Sequence, residues 1–445
     1  MEKKEFDLEL IEKIRQQFDK TPYPRTPVEH SPKDDLNSLF IHNLVTSYYL
    51  VNQKFTNTEG KVILDAGCGS GYKSLILAEA NPGAKIVGVD LSEESVKAAR
   101  QRLDFHGFEN VEFHTLSIYD LSELGMEFDY INNDEVLYLL PDVVAGLKAM
   151  KSVLKPEGII RTNLHSSFQR AAFFRAQELF KTIGLMDGNP EDMEMELAIE
   201  TMKSLKNGVD IKTRAWNPGY EKPESKGTLL SNHLLLGDKG FNVPEMFAAL
   251  REAELGFVSM VYWRYWDVTD LFQEPDNLPA LWAMSLPEAS MEERLHLYEL
   301  LHPIHRLLDF WCAHSSQVDP SLPVEQWQES DWQKAQVHLH PQLRNTKSRE
   351  DLIGCLTKQK PFVISSYVSI PAMAPVEIDG TVAACLLPLW EKPQSFQTLV
   401  QRWLKIRPLD LVTLEPVSEK KAFEEVKKLL SKLEVFLFVL LERSV

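Results

Sequence analysis

The stretch Lys61–Gly71, KVILDAGCGSG, joins a strand to a turn that only a narrow set of folds can place. Val62, Ile63 and Leu64 form an unbroken apolar run, the pattern of a strand covered on both faces in a parallel sheet. Gly67, Gly69 and Gly71 remove Cβ atoms from the turn that follows, so a ligand can approach bare backbone. A second apolar strand, Lys85–Asp90 (KIVGVD), ends in a carboxylate. An acid at the tip of the neighbouring strand is placed to accept both hydroxyls of a ribose. Together the two features point to a ligand that carries a nucleoside. The dinucleotide fingerprint would need a glycine where Tyr72 stands, which disfavours nicotinamide and flavin cofactors.

Strands and helices alternate from Lys61 to about Asn163. The pattern predicts a helix over Tyr72–Ala80 stopped by Asn81-Pro82-Gly83, and another to Gly107 with Ser92 as its N-cap. Further strands are expected at Val111–Thr115, Phe128–Asn132 and Gly158–Asn163, with a helix over Asp142–Leu154 between the last two. This is a doubly wound, Rossmann-like α/β pattern, in which ligands bind beyond the carboxyl ends of the strands.

Asp65–Gly71 with Asp90 resembles the S-adenosylmethionine (SAM) signature of class I methyltransferases. The resemblance implies a cofactor site of Asp65, Gly67, Cys68, Gly69, Gly71 and Asp90, with Leu91 packed on the adenine. Ser117 and Ile118 occupy the turn where relatives often carry an acid for the adenine amino group; here Ser117 replaces it. Asn133, Asp134 and Glu135 follow the fourth strand and should face the methyl donor, with S-adenosylhomocysteine as product. Similar Pro-Tyr-Pro segments precede the core in some relatives. Thr21–Pro27 (TPYPRTP) is rigid and extended, since each proline fixes its own φ and restricts its predecessor, and it would bring Tyr23 over the methyl group. An amine acceptor would be oriented by Asp134 or Glu135, whereas a hydroxyl acceptor would need a base, for which His165 is the nearest candidate. The Asn/Asp-Pro-Pro-Tyr/Phe tetrapeptide of methyltransferases acting on DNA bases is missing after the fourth strand.

Beyond the core, residues 1–60 read as an N-terminal helical arm and lid. Residues 61–165 and 241–267 read as the methyltransferase core, and 166–240 as a helical insertion capping the substrate pocket. Residues 268–360 are expected to be helical and 361–445 to form a small α+β module ending in a helix over Glu419–Glu442. The order of parts resembles methyltransferases with a C-terminal "methyltransferase regulatory domain", a group that includes bacterial protein lysine methyltransferases. The apolar stripe of the last helix favours core packing over a coiled-coil dimer, and a homodimer stays open. His302 and His305 share a helical face, yet tight ligand pairs are lacking and no metal site is assigned.

Sixty-five acids against forty-eight bases leave a net charge of −17, which argues against nucleic acid as the main partner. The four cysteines form no Cys-x-x-Cys pair and read as reduced thiols. The charged N-terminal stretch lacks a signal-peptide core, and the longest apolar run is too short to span a bilayer. A cytoplasmic protein without membrane association is therefore expected. Three functions stand open: methyl transfer to N or O of a small metabolite or natural product, N-methylation of a protein or peptide, and SAM sensing without turnover.

Overall fold

The computed structural model describes residues 2–20, 22–222, 225–317, 322–410 and 412–443. Helices α1 (Glu2–Lys20), α2 (Leu36–His42) and α3 (Leu44–Asn52) come first. Five strands follow: β1 (Val62–Ala66), β2 (Lys85–Asp90), β3 (Val111–Thr115), β4 (Phe128–Asn133) and β5 (Leu154–Ser166). Between them run α4 (Tyr72–Ala80), α5 (Glu93–Phe105) and α6 (Val143–Ser152). Gly71, at φ +80°, starts α4 from the left-handed region that glycine enters at least cost. Ser92 and Asp142 cap α5 and α6 by accepting from Ser95 N and Ala145 N.

All five strands are parallel, in the spatial order β3-β2-β1-β4-β5. The order reverses between β1 and β4, so the carboxyl ends of those two strands open onto the crevice where doubly wound sheets hold ligands. β4 (FDYINN) is buried at every position, its Asp129, Asn132 and Asn133 side chains included.

Helices α7 (Ala171–Thr182), α8 (Asp192–Ser204), α9 (Asp210–Ala215) and α10 (Lys226–His233) follow β5. They enclose a small core of their own around Ala176, Phe180, Met195, Ala198, Met202, Leu229 and Leu234. The chain then pairs a short strand β6 (Gly240–Phe241) with the end of β5 and continues through α11 (Val243–Glu252) into β7 (Leu255–Met260).

The expectation of an all-helical segment over 268–360 is corrected. β8 (Leu307–His314) inserts between β5 and β7, antiparallel to both, and completes the order β3-β2-β1-β4-β5-β8-β7. LLDFWCA is the continuous apolar run of a strand buried on both faces, and its six central residues are buried. A further strand, β9 (Ala335–Leu339), pairs with Gln394–Ser395 and Val439–Arg443 in a second sheet.

The final element departs in the same way. Its helix stops at Glu434, Leu437 turns left-handed at φ +54°, and Val439–Arg443 is a strand. Val and Leu in tight sequence suit a covered strand here because β9 offers it an open edge. One apolar cluster runs without a break from α2, α3 and β1 into this C-terminal sheet. Across that contact the Tyr49 hydroxyl donates to Glu434 at 2.9 Å and accepts from Leu441 N at 3.0 Å. No helix of the described residues is long and apolar enough to cross a membrane.

Candidate active site

A cavity of about 360 Å³ lies over the carboxyl ends of β1, β2 and β4. Ten of the residues expected from sequence line it: Tyr23, Gly67, Cys68, Gly69, Asp90, Leu91, Ser117, Ile118, Asp134 and Glu135. Asp65, Gly71, Asn133 and His165 are not among the lining residues. Thr21 lies outside the described residues. Asp65 sits beneath the turn, where burial raises its pKa to about 6 against hydrogen bonds from Ser74 and Asn132. Asn133 donates to Ala66 O at 2.7 Å and ties β4 to the glycine turn.

The turn itself is shaped from two sides. Asp90 accepts from Gly69 N and from Ser92 N, each at 2.9 Å, so one carboxylate braces both the glycine turn and the start of α5. Burial raises the Asp90 pKa, opposed by those backbone donors. From the other side the Tyr23 carbonyl accepts from Ser70 N at 2.9 Å, and Ser70 Oγ donates to Pro24 O at 2.7 Å. The Pro-Tyr-Pro segment thus rests directly on the glycine turn, with a cis Tyr23–Pro24 bond.

Gly69 allows this close approach. A Cβ there would lie 2.1 Å from the Tyr23 carbonyl oxygen, at a φ of +50° that side chains avoid. Gly69→Val should therefore push the arm off the turn and lower affinity for S-adenosylhomocysteine at least roughly a hundredfold, a loss above ~2.7 kcal/mol. Gly188→Ala, where a Cβ meets nothing within 4 Å, is the control that should bind normally. Titration calorimetry on both variants checks the contrast.

At the other end of the cavity lies a buried ionic network that sequence reasoning missed. Asp134 Oδ2 accepts from Lys73 at 2.8 Å; Oδ1 accepts from Asn163 at 2.6 Å and lies 3.3 Å from Arg161. Arg161 also donates to Asp309 at 2.7 Å and to Asn132 at 3.0 Å, and its Nη1 lies 3.0 Å from His42 Nε2. Burial pushes the Asp134 pKa up, but the Lys73 and Arg161 charges outweigh it and hold the carboxyl well below the usual range. Burial raises that of Asp309, with Arg161 opposing. A charged residue within each apolar run, Arg161 in IIRTNL and Asp309 in LLDFWCA, was the available signal.

Glu135 adopts φ +59° and offers its carboxylate to Arg306 in a two-pronged pair at 2.6 and 3.1 Å. Arg306 Nη1 also lies 3.1 Å from His165 Nε2. His165 Nδ1 meets Asp238 at 2.6 Å, and the ring stacks on Tyr138 at 3.7 Å between centroids. Burial lowers the His165 pKa, with Asp238 opposing. Both ring nitrogens are thus engaged. Burial raises the pKa of the Tyr23 hydroxyl and the Glu135 charge adds to it, so the phenol keeps its proton near neutrality.

The expected cap takes no part in lining this cavity, whose lining residues all fall within 11–141. The insertion meets the cavity wall through Lys239, which donates to Leu140 O at 3.0 Å and Pro141 O at 2.9 Å, and reaches His165 through Asp238, which also accepts from Arg170 at 3.1 Å and Gln177 at 2.9 Å. The cover comes instead from α1, through Ile11, Ile14, Arg15 and Phe18. Among the described residues no group of three His, Cys, Asp or Glu side chains is arranged to hold a metal ion.

Residues 57–211 match the family described as "Methyltransferase domain". An uncharacterised protein of Synechococcus sp. is 26% identical over 318 residues, covering 71% of this chain and 73% of that protein. A ubiquinone biosynthesis O-methyltransferase of Actinobacillus pleuropneumoniae is 30% identical over 115 residues; the match covers 25% of this chain and 48% of that enzyme. The chain therefore spans about half the length of that relative. The structure of PKMT2 from Rickettsia typhi in complex with AdoHcy superposes with a TM-score of 0.55 at 16% identity, covering 95% of this chain and 78% of that one. With the fold order and the glycine turn, these findings identify residues 57–211 as a class I SAM-dependent methyltransferase domain. SAM is its methyl donor and S-adenosylhomocysteine the product.

The residues present fit that donor. The bare turn at Gly67 and Gly69, the Asp90 carboxylate and the apolar side chains of Leu91, Leu116 and Ile118 suit an adenosine, while Lys73, Asp134 and Glu135 add charged groups to the same cavity.

Proposed function

We propose that this enzyme methylates an amino nitrogen presented from outside the cofactor cavity, on a basic protein or peptide segment. The observation that carries the reading is the engagement of every candidate base. Asp134 is held by Lys73, Arg161 and Asn163, and His165 by Asp238 and Arg306. A hydroxyl acceptor needs a free base to take its proton, whereas an amine can reach the site already deprotonated through solvent. The donor supplies an electrophilic methyl group on a sulfonium. This chain's task is then to align the acceptor and exclude water. Tyr23 is 44% exposed with its hydroxyl protonated, and Glu135 stands beside it as an oriented carboxylate; both suit an incoming amine. The net charge of −17 would draw basic segments to the surface.

A small-molecule amine is the second reading, favoured by the link from the insertion to Glu135 through Asp238, His165 and Arg306. Incubation with labelled SAM and a cell extract split into metabolite and protein fractions separates the two. Label in the protein fraction is expected. Tyr23→Phe and Glu135→Gln should each lower transfer about tenfold, roughly 1.4 kcal/mol, with affinity for S-adenosylhomocysteine unchanged. Label confined to metabolites would support the second reading, and no transfer from folded, SAM-binding protein would point to a sensor.

A further inference from the structure

A second cavity, of about 350 Å³, opens at the β7 edge of the main sheet and is nearly as large as the cofactor cavity. β7 ends the sheet, and residues 257–260 along it form one wall. The chain just after the strand forms a second wall, with Trp263 and Trp266. Met291, Arg294 and Leu295, on one face of the helix Met291–Leu301, form the third. Among the described residues none lines both cavities.

Two arginines line this second cavity, and neither has a carboxylate partner among the described residues. Arg264 lies over the Phe436 ring at 5.7 Å; its Nε is buried without an acceptor, and Nη1 and Nη2 make no hydrogen bond or ion pair among the described residues. Arg294 donates from Nε to Ala289 O at 3.1 Å and from Nη2 to Leu286 O at 2.6 Å. Those carbonyls fix the guanidinium plane without neutralising its charge, and Nη1 is left without an acceptor among the described residues. Asp267, a carboxylate in the lining, turns Oδ1 to Thr269 instead, accepting from its N at 2.9 Å and its Oγ1 at 2.7 Å. In a chain with a net charge of −17, two cations thus share one cavity with no counter-charge paired to them. Holding cations partly out of water in this way is unfavourable until an anion joins them. We infer that the cavity binds a small organic anion, its carboxylate or phosphate oxygens held by Arg264 and Arg294 and its apolar body packed against Phe257, Trp263 and Trp266. A guanidinium fork matches two oxygens of one oxyanion, and a largely apolar cavity with a few placed polar groups is the form small-molecule sites take.

Titration calorimetry on the full chain tests this with 2-naphthoate, 2-naphthyl phosphate and the neutral 2-naphthamide as probes. Excess S-adenosylhomocysteine, present throughout, keeps them out of the cofactor cavity. At least one of the two anions should bind at one site per chain, and the amide at least roughly tenfold more weakly. Arg264→Gln and Arg294→Gln should each lower the anion's affinity about tenfold while binding S-adenosylhomocysteine as wild type does, which shows that both variants fold. Tighter binding of naphthoate supports a carboxylate ligand, and tighter binding of the phosphate a phosphorylated one. Should a variant misfold, the contrast between anion and amide on wild type decides. Failure of both anions to bind, equal binding of anion and amide, or anion affinity unchanged in either folded variant would overturn the inference.

Discussion

Asp90→Ala is expected to weaken binding of both SAM and S-adenosylhomocysteine by roughly ten- to hundredfold, because hydrogen bonds to an ionised acceptor are worth ~1.5–3 kcal/mol. The loss has two sources. One is the carboxylate offered to the ribose. The other is internal: Asp90 holds Gly69 N and Ser92 N, so its removal frees the glycine turn and the first turn of α5 together. Asp90→Asn separates them, since an amide oxygen still accepts one of the two backbone donors and keeps part of the brace. Its affinity should fall between those of wild type and the alanine variant. Calorimetry giving wild-type affinity for Asp90→Ala would remove this residue from the cofactor site.

The half of the site built by strand ends was legible in the sequence because its signals are local. An apolar run, alternate glycines and a terminal acid lie within thirty residues of one another, and each has its own backbone reason. The other half depends on chain segments far apart. Asp134 is held by Lys73 from α4 and Arg161 from β5, and Arg161 in turn by Asp309 from β8, which read as part of a helical region. His302 and His305, expected on one helical face, lie beyond the last residue of the helix Met291–Leu301, and His305 stacks on Trp266 at 4.4 Å between centroids. A run such as LLDFWCA cannot be told from a buried helix by periodicity alone; its short length of seven residues and the neighbouring edge of β5 decide it. The C-terminal strand escaped for the same reason. Its apolar stripe continues the helical spacing through Leu437, where the left-handed turn at φ +54° breaks the helix.

The buried network should be more important to folding than any cofactor contact, and Arg161→Met tests this. Arg161 is 3% exposed and sits between Asp309, Asp134, Asn132 and His42. Removing the cation leaves Asp309 without its partner in the interior, whereas Asp134 keeps Lys73. Breaking a buried pair from one side typically costs ~3–5 kcal/mol. The pH dependence follows from Asp309, whose pKa is already raised in the folded state. A carboxyl with a folded pKa above its unfolded value supports stability at low pH and withdraws that support as pH rises through the folded pKa. The deficit of Arg161→Met relative to wild type should therefore be small near pH 4 and grow toward pH 8. Adding Asp309→Leu should recover much of it, because a buried ion pair replaced by apolar side chains is often neutral in stability. Urea denaturation of the two variants and wild type at pH 4, 6 and 8 measures all three expectations. Equal midpoints for wild type and Arg161→Met at pH 8 would show that the ion pair contributes nothing to holding β5 and β8 together.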